Sequence, residues 1–470
     1  MPVKPQKDID MTRLHRARAV LPVLALAAAV LAGCSSDDSS SEPSDTPTDT
    51  TAGAVTVPAT TEPETTAAPE TTAMPATTAP DVTETTAAPA TTAPAVAPDG
   101  DGGAVWQGIE PNSTPMSPED SAAIDAALEE ILDGAGDELP GLWLGIWSAE
   151  SGQYSAAYGS AVLGGAAASV DDHGRIGSVT KTFTATAVLQ RVDSGELALD
   201  DTIGDVLPDL AAAHPDVADI TIDQLLGMQS GIPDYANTGL VIGEVVENPT
   251  TELTADEIIE RVLTELELAP AGTGGYSTTN YLILGEMLEA VDGRPVHEII
   301  SDVTAAAGLT SSALGAPGDN SMPDPSSHGY VMQAGAAGLA EIGATVEPGT
   351  DVTDWTVSWG GAGGGMYSTI ADLGAWAASG SGTSLLSDEL IAQRLTTRKT
   401  VEGLDYGLGI IDFGNGWIGH SGQLIGWESL VLYDTDTGDV AVAIVNETSS
   451  LIAAEFALAT IFPDLGEALL

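Results

Sequence analysis

A serine and a lysine three positions apart stand out in a chain with very few lysines. Ser178 and Lys181 lie in the segment RIGSVTKTF, residues 175–183, and lysine occurs at only three other positions. On a helix, residues three apart share a face, so the hydroxyl and the amine would lie side by side. A serine hydroxyl becomes nucleophilic when a base takes its proton, and lysine can be that base once burial or nearby cations lower its pKa. The spacing predicts either a nucleophile–base pair or a helix-capping serine followed by a surface lysine.

The sequence also predicts the helices and strands around this pair. A helix is predicted from about Ser178 to Gly195, a favoured helix terminator, and its first turn would offer N–H groups to a developing anion. Strand pairs are predicted around Ser151–Gly152 and around DTDTGD, residues 434–439. An apolar helix is predicted to follow at 450–462, and helical patterns dominate roughly 195–400. The predicted fold class is therefore α+β: an antiparallel β-sheet formed by both chain ends, flanked by helices, with a large, mostly helical insertion.

The N-terminus has the pattern of a secretory signal. Five basic residues precede position 20 and are followed by the apolar run AVLPVLALAAAVLAG, whether translation begins at Met1 or at Met11. The run ends in LAGC, which resembles the lipobox of bacterial lipoproteins, with lipidation on Cys34. Ordinary secretory cleavage nearby or an uncleaved anchor are the alternatives. We expect residues 1–33 to be a lipoprotein signal peptide and the protein to be extracytoplasmic, lipid-anchored to the bacterial cell membrane.

Composition limits the partners. Residues 34–115 are rich in Thr, Ala, Pro and acidic side chains, without apolar periodicity, and are predicted to form a disordered tether. The whole chain has 13 basic and 69 acidic residues, a formal charge of −56. Such a surface repels nucleic acid, which is excluded as a partner. Residues 116–470 are expected to form the folded domain, and nothing in the sequence sets its oligomeric state.

Several long segments, in order, resemble the serine β-lactamase and penicillin-binding-protein superfamily, which includes class C β-lactamases, D-alanyl-D-alanine carboxypeptidases and related esterases. The similarity covers most of residues 120–463. The segments, given as they stand in the sequence, are RIGSVTKTFTATAVLQRVDSGELALDDTIGDVLP, ITIDQLLGMQSGIPDY, GTGGYSTTNYLILGEMLEAVDGRP, GGGMYSTIADLGAWAASG and YGLGIIDFGNGWIGHSGQLIGWESL. The resemblance implies the β-lactamase/transpeptidase-like fold and an acyl-enzyme formed on a serine.

The resemblance also assigns roles to residues. Ser178 and Lys181 fall on the nucleophile and its lysine, and Tyr276 falls on the tyrosine of Tyr-x-Asn, which shares proton transfer. His420 begins the equivalent of Lys-Thr-Gly. These four are the predicted catalytic residues. Substrate contacts are predicted at four further positions: Thr278, Ser421, Gly422 and Gln423. The backbone N–H groups of Gln423 and Ser178 would form the oxyanion hole.

Two departures from the family pattern bear on substrate. Thr278 stands where the motif has asparagine, so contact with a substrate amide is in doubt, although Asn280 could compensate. His420 stands where the motif has lysine, and a histidine with an ordinary pKa is mostly neutral at pH 7 and cationic below about 6.5. Both changes favour a peptidase or esterase over an efficient β-lactamase.

Two hypotheses follow. The first is a cell-surface serine hydrolase, D-alanyl-D-alanine carboxypeptidase- or β-lactamase-like, acting on a small-molecule or peptidoglycan-peptide substrate, with a small-ester hydrolase of the same fold as its alternative. The second is a catalytically silent peptidoglycan-binding module. No cofactor is expected. No metal is expected either, because the remaining histidines are scattered and lack ligand spacing. The glycine run 360–366 is predicted to be a turn near the cleft, and Asp234 and Tyr235 are candidates for its rim.

Overall fold

The computed structural model describes residues 113–448. The predicted signal peptide, Cys34, nearly all of the predicted tether and the predicted helix at 450–462 lie outside the described residues. The helices are α1 (Pro118–Ala135), α2 (Thr180–Asp193), α3 (Ile203–Val206), α4 (Pro208–Ala213), α5 (Ile222–Leu226), α6 (Gly239–Glu247), α7 (Ala255–Glu265), α8 (Thr278–Asp292), α9 (Val296–Ala306), α10 (Gln333–Glu341), α11 (Gly361–Gly364), α12 (Ile370–Ala378) and α13 (Asp388–Arg394). The strands are β1 (Gly141–Ser148), β2 (Gly152–Gly159), β3 (Gly174–Arg175), β4 (Ala313–Leu314), β5 (Tyr330–Val331), β6 (Thr350–Asp351), β7 (Met366–Ser368), β8 (Arg398–Lys399), β9 (Asp405–Tyr406), β10 (Ile411–Gly414), β11 (Trp417–Leu424), β12 (Trp427–Asp434) and β13 (Val440–Val445).

Strands from both ends of the domain form one antiparallel sheet, as predicted. Its order is β2-β1-β13-β12-β11-β10-β9-β8, so the first hairpin of the domain pairs with its last strand. Both predicted hairpins are present, β1–β2 around residues 149–151 and β12–β13 around residues 435–439. Helices α3 to α13 fall between residues 203 and 394, which confirms the predicted helical insertion.

Alternate side chains of the sheet serve two separate apolar cores. Leu142, Leu144 and Ile146 of β1 face α1, where Leu128 is fully buried. The alternate residue Trp143 belongs to the larger core, which includes most of the helical insertion. A period of two along a strand places successive side chains on opposite faces, so the sheet separates helix α1 from the other helices.

Helix α2 crosses the larger core and is almost entirely buried. A 3-10 turn, Gly177–Val179, leads directly into it, so Ser178 lies in the turn just before the α-helix, close to the predicted helix start. On its far side, Trp376 Nε1 donates to Thr182 Oγ1 at 2.8 Å and Arg394 donates to Thr186 Oγ1 at 2.9 Å. Buried polar groups from the end of the insertion thus fix the helix that follows the serine.

None of the helices among residues 113–448 combines the length and the apolar character needed to cross a bilayer.

Candidate active site

The turn carrying Ser178 is pressed against the edge of strand β11. Ile176 O accepts a hydrogen bond from Ser429 Oγ at 2.7 Å, which ties the turn to the neighbouring strand β12. Gly177 has φ +48°, and a Cβ there would lie 2.5 Å from Gln423 N. Only glycine allows this approach. The sequence therefore brings the backbone of the serine turn beside that of Gln423.

Lys181 lies directly behind Ser178 and is completely buried, whereas Ser178 is partly exposed. The amine Nζ lies 2.9 Å from Ser178 Oγ, 2.8 Å from Gly363 O and 3.3 Å from Thr278 Oγ1. A neutral amine has two N–H groups and one lone pair. Since Gly363 O can only accept, one N–H is committed to it, and the lone pair is available to the serine proton.

The surroundings of Lys181 favour its neutral form. Burial lowers the pKa of Lys181 to about 7, and the negative charge of Asp234 opposes that shift. The rings of Tyr276 and Tyr281 lie 5.0 Å and 5.6 Å from Nζ and cover the amine. The nucleophile–base reading of the Ser-Lys spacing, and not the surface-lysine reading, matches this placement.

Tyr276 precedes helix α8 and reaches the serine from the other side. Its side chain is hydrogen-bonded to Ser178, and burial raises the pKa of Tyr276 well above its usual value. The phenol is therefore protonated at neutral pH and can donate. Its ring also makes an edge contact with Tyr406, with the centroids 6.0 Å apart.

His420 is buried and neutral, which differs from the expected cation below pH 6.5. Burial lowers the pKa of His420 to about 3, and Lys181 adds to the shift. Its Nδ1 donates to Ser421 O, because a carbonyl can only accept. Nε2 consequently accepts from the Tyr406 hydroxyl at 2.9 Å. The imidazole has no free N–H in this arrangement, so a role in binding a substrate carboxylate as a cation is not available to it.

Thr278 and Asn280 are both buried, with their polar atoms bound inside the protein. Thr278 is buried, with its hydroxyl on Lys181. Asn280 is fully buried, accepting from Ser230 Oγ at 2.7 Å and donating to Leu225 O at 3.1 Å. Asn280 therefore does not replace the missing motif asparagine, since both ends of its amide are engaged in the core.

At the end of β11, one edge faces the serine turn and is paired by no strand among residues 113–448. Strand β10 pairs with β11 only as far as Gly419, whereas β12 pairs to the end. Gly422 packs so closely on the turn that a Cβ would lie 2.0 Å from Ile176 O. Gln423 is exposed, and its amide donates to Glu428 at 2.7 Å. These positions suit the predicted substrate-contacting edge.

Several groups at the site carried no clear sequence signal. The Gly363 carbonyl accepts a hydrogen bond from Lys181. The only sequence signal for this contact was the glycine run, which was expected to lie near the cleft. Tyr406 holds His420 from a two-residue strand. The carboxylate of Asp234 accepts from the N–H of Thr278 at 3.0 Å, behind the lysine. Tyr235 is not at a rim: it is fully buried and its hydroxyl donates to Trp359 O.

The described part of the chain contains no group of three or more His, Cys, Asp and Glu side chains suited to a metal ion. Two of the scattered histidines each contact one carboxylate: His214 contacts Glu260, and His328 contacts Asp351.

Comparison with known proteins shows the family of the chain. A family model described as Beta-lactamase matches residues 124–459, well over half of the chain. The chain belongs to the β-lactamase family. The family and the serine-hydrolase class agree with the resemblance of the sequence.

Curated relatives match shorter segments. Penicillin-binding protein 4 from Amycolatopsis lactamdurans is 34% identical over 139 residues, which cover 29% of this chain and 35% of that protein. A D-aminopeptidase from Brucella anthropi is 30% identical over 138 residues, 29% of this chain and 25% of that protein. The chain thus spans about a third of the length of the first relative and a quarter of the second.

Solved structures match over a larger part. A D-stereospecific amidohydrolase from Streptomyces sp. superposes with a TM-score of 0.62 at 26% identity, covering 73% of this chain and 98% of that one. A D-amino acid amidase from Ochrobactrum anthropi SV3 superposes with a TM-score of 0.61 at 22% identity, covering 74% and 99%. The second similarity supports the fold alone.

Proposed function

We propose that the protein hydrolyses amide bonds of D-amino-acid amides and peptides through an acyl-enzyme on Ser178. The observation that carries this is the buried Lys181 amine 2.9 Å from Ser178 Oγ, with its pKa lowered to about 7. The D-stereospecific amidohydrolase and the D-aminopeptidase among the similar proteins support the substrate class. Carboxypeptidase action on D-alanyl-D-alanine remains a prediction of the sequence.

The acylation step uses groups already in contact. Ser178 Oγ attacks the substrate carbonyl as its proton passes to Lys181 Nζ. The resulting oxyanion would be bound by the N–H groups of Ser178 and Gln423. Tyr276 gives its phenol proton to the leaving nitrogen and regains one from Lys181. The C–N bond breaks, and an ester of Ser178 with the acyl group is left.

Deacylation repeats the proton transfers with water. Lys181, neutral again after the amine has left, takes a proton from a water molecule that attacks the ester carbonyl. The proton then returns to Ser178 Oγ as the C–O bond breaks, which restores the resting site. Each step leaves the number of protons in the site balanced.

Charge around the site favours substrates without a carboxylate at the reacting end. His420 is neutral, and the fully buried Arg175 and Arg394 donate to backbone carbonyls and a threonine hydroxyl. The exposed carboxylate of Glu402 accepts from the Tyr276 N–H at 3.3 Å. An amide or an amine-bearing peptide suits this environment better than a penicillin or a free C-terminal D-alanine.

A substrate panel and a serine variant test the proposal. We expect turnover to fall in the order D-amino-acid amide, D-Ala-D-Ala peptide, nitrocefin, and covalent labelling by a fluorophosphonate to disappear in Ser178→Ala. Ser194→Ala, at the exposed C-terminal cap of helix α2, which follows the serine turn, is the matched control and keeps the label. Labelling that persists in Ser178→Ala rejects the proposal. Faster turnover of short-chain esters than of any D-amide favours the esterase alternative.

The silent-module alternative predicts the reverse pattern. It requires measurable binding of peptidoglycan fragments without a burst of product from any activated ester. The buried lysine, whose pKa is lowered to about 7, argues against it, because a binding module has no need for the cost of burying an amine. Turnover of p-nitrophenyl acetate that is lost in Ser178→Ala would exclude it.

We further propose that the mature protein is anchored by lipid on Cys34 at the outer face of the cell membrane, with a peptidoglycan peptide among its candidate substrates. Cys34 is the sole cysteine of the chain, directly after the apolar run. Cys34→Ser should abolish incorporation of radiolabelled palmitate and release the protein into the medium. A wild-type protein that takes up no label contradicts the anchor.

A further inference from the structure

A polar chain extends behind Lys181, on the side away from Ser178. Lys181 Nζ lies 3.3 Å from Thr278 Oγ1, and the Thr278 side chain is hydrogen-bonded in turn to the carboxylate of Asp234. The backbone N–H of Thr278 also donates to Asp234 Oδ1 at 3.0 Å. The lysine is thus connected through a single hydroxyl to a carboxylate.

The carboxylate is itself held in place. Asp234 Oδ1 accepts from Ala236 N at 3.1 Å, and Oδ2 accepts from Asn237 Nδ2 at 3.0 Å. Asp234 also caps the short helical turn Tyr235–Asn237. With both oxygens occupied by donors, the carboxylate presents a fixed acceptor to the threonine.

The direction of the threonine hydroxyl decides what Lys181 can do. A hydroxyl has one hydrogen, and if it donates to Asp234 its oxygen is left to accept from the lysine. The second N–H of a neutral amine is then committed to Thr278, as the first is to Gly363 O. If the hydroxyl turned toward Lys181, it would donate to the lone pair and compete with the proton of Ser178.

The identity of residue 278 fits this reading. A threonine has a short side chain, and here it is buried with its hydroxyl on the lysine. Gly363, whose carbonyl binds the same amine, approaches so closely that a Cβ there would lie 2.6 Å from Thr278 Cγ2. The threonine methyl group fills the space that this glycine leaves.

We propose that Thr278 and Asp234 are positioning residues that hold the amine of Lys181 with its lone pair toward Ser178. The inference rests on the proposed function, in which Lys181 is the base. Thr278 contacts the amine that takes the proton, and Asp234 contacts Thr278. Thr278 sets the orientation of the amine, and Asp234 sets the orientation of the Thr278 hydroxyl.

The charge of Asp234 has a second effect on the same amine. Among the described residues, four titratable groups face Lys181. They are the two tyrosines whose rings lie near its amine, Tyr276 and Tyr281, together with His420 of β11 and Asp234 of the loop before α6. Both tyrosines and the histidine are neutral at pH 7, so Asp234 is the group whose charge raises the pKa of Lys181. Removing it should move the acid limb of the rate profile toward lower pH.

Three variants test the inference in the full chain. Thr278→Val removes the hydroxyl and keeps the shape, and Thr278→Ser restores the hydroxyl. We expect Thr278→Val to lower kcat by about 10- to 100-fold with KM nearly unchanged, and Thr278→Ser to recover activity to within about 3-fold. Asp234→Asn should shift the acid limb of kcat/KM down by about 1 pH unit.

The outcomes separate this inference from the proposed function. If Thr278→Val matches the wild type in kcat, or raises KM alone, Thr278 does not position the base and the inference is wrong. If the acid limb is unmoved in a folded Asp234→Asn, the inference is wrong as well. In each case turnover of a D-amino-acid amide that is still lost in Ser178→Ala shows that the proposed function stands. Should Asp234→Asn fail to fold, the threonine pair decides alone.

Discussion

The amine of Lys181 lies 2.9 Å from the hydroxyl of Ser178, and the lysine side chain is completely buried. The only other lysine beyond residue 7, Lys399, is exposed and paired with Asp405 at 2.6 Å. The two lysines of the domain therefore meet opposite environments. Burial removes the water that would stabilise the charge of Lys181, whereas Lys399 is exposed to solvent and paired with a carboxylate.

The rate should depend on the protonation of Lys181. Because its pKa is lowered to about 7, the amine is neutral above that pH and charged below it. We expect kcat/KM to fall about tenfold for each pH unit below about 7. Lys181→Met should abolish the activity, while Lys399→Met should leave both rate and profile unchanged. A rate that is flat from pH 5 to 8 would show that another group is the base.

The burial of Lys181 should also lower the free energy of unfolding. The folded pKa of Lys181 lies below its ordinary value of 10.5, so the unfolded chain binds more protons between pH 7 and 10.5. This penalty is fully present below pH 7 and is lost as the pH rises through that window. Lys181→Met should therefore have a higher Tm than the wild type at pH 6, with a smaller difference at pH 9. Calorimetry at both pH values measures it; a Tm difference that grows with pH would contradict the burial argument.

His420 should remain a neutral imidazole across the working range. With its pKa lowered to about 3, Nδ1 carries the proton and Nε2 accepts from Tyr406. The imidazole ¹⁵N resonances of His420 are identified as those missing from the spectrum of His420→Asn. In the wild-type protein, these resonances should keep the pattern of the Nδ1–H form from pH 5 to 8. The unfolded protein in urea provides the reference, with titration near 6.5. An imidazolium signal from His420 at pH 6 would overturn this assignment.

Gly177 should be required for activity because it has no Cβ, and not only because of its backbone conformation. In Gly177→Ala, the new Cβ would meet Gln423 N at 2.5 Å and separate the two N–H groups predicted to bind the oxyanion. We expect kcat to fall by about 100-fold or more. Gly195 also has positive φ, +76°, but nothing lies within 4 Å of its Cβ position. Gly195→Ala, the control, should lose about 1 kcal/mol of stability and keep its kcat. Equal kcat values in the two variants would refute the argument.

The parts of the site that are local in sequence were predictable. Ser178 and Lys181 are three residues apart, so helical geometry alone places them together. The hairpins at both ends of the domain follow from alternating apolar residues around turn sequences, and these strands define the sheet. Tyr276 and His420 were accessible through the resemblance of their segments to a known family.

The remaining features depend on tertiary contacts that no local pattern encodes. Tyr406 meets His420 because a two-residue strand returns to the sheet, and Gly363 contributes only a backbone carbonyl. The charge of His420 depends on its burial, and an ordinary pKa was the only basis for the expectation at the sequence level. The pairing of Thr278 with Asp234 joins two segments 44 residues apart. Such relationships appear only when the chain is folded.

Helix α2 has its own consequence for how this enzyme could diversify. Trp376 and Arg394, both fully buried, bond it from behind, and Trp376 stacks on Phe183 with ring centroids 3.9 Å apart. A nucleophile supported in this way cannot tilt to suit a new substrate. Adaptation is left to exposed segments near the site, such as the loop carrying Glu402, which contacts the backbone of Tyr276. Mutations that alter which molecules are cleaved should therefore accumulate there, while those near Trp376 and Arg394 should affect every substrate alike.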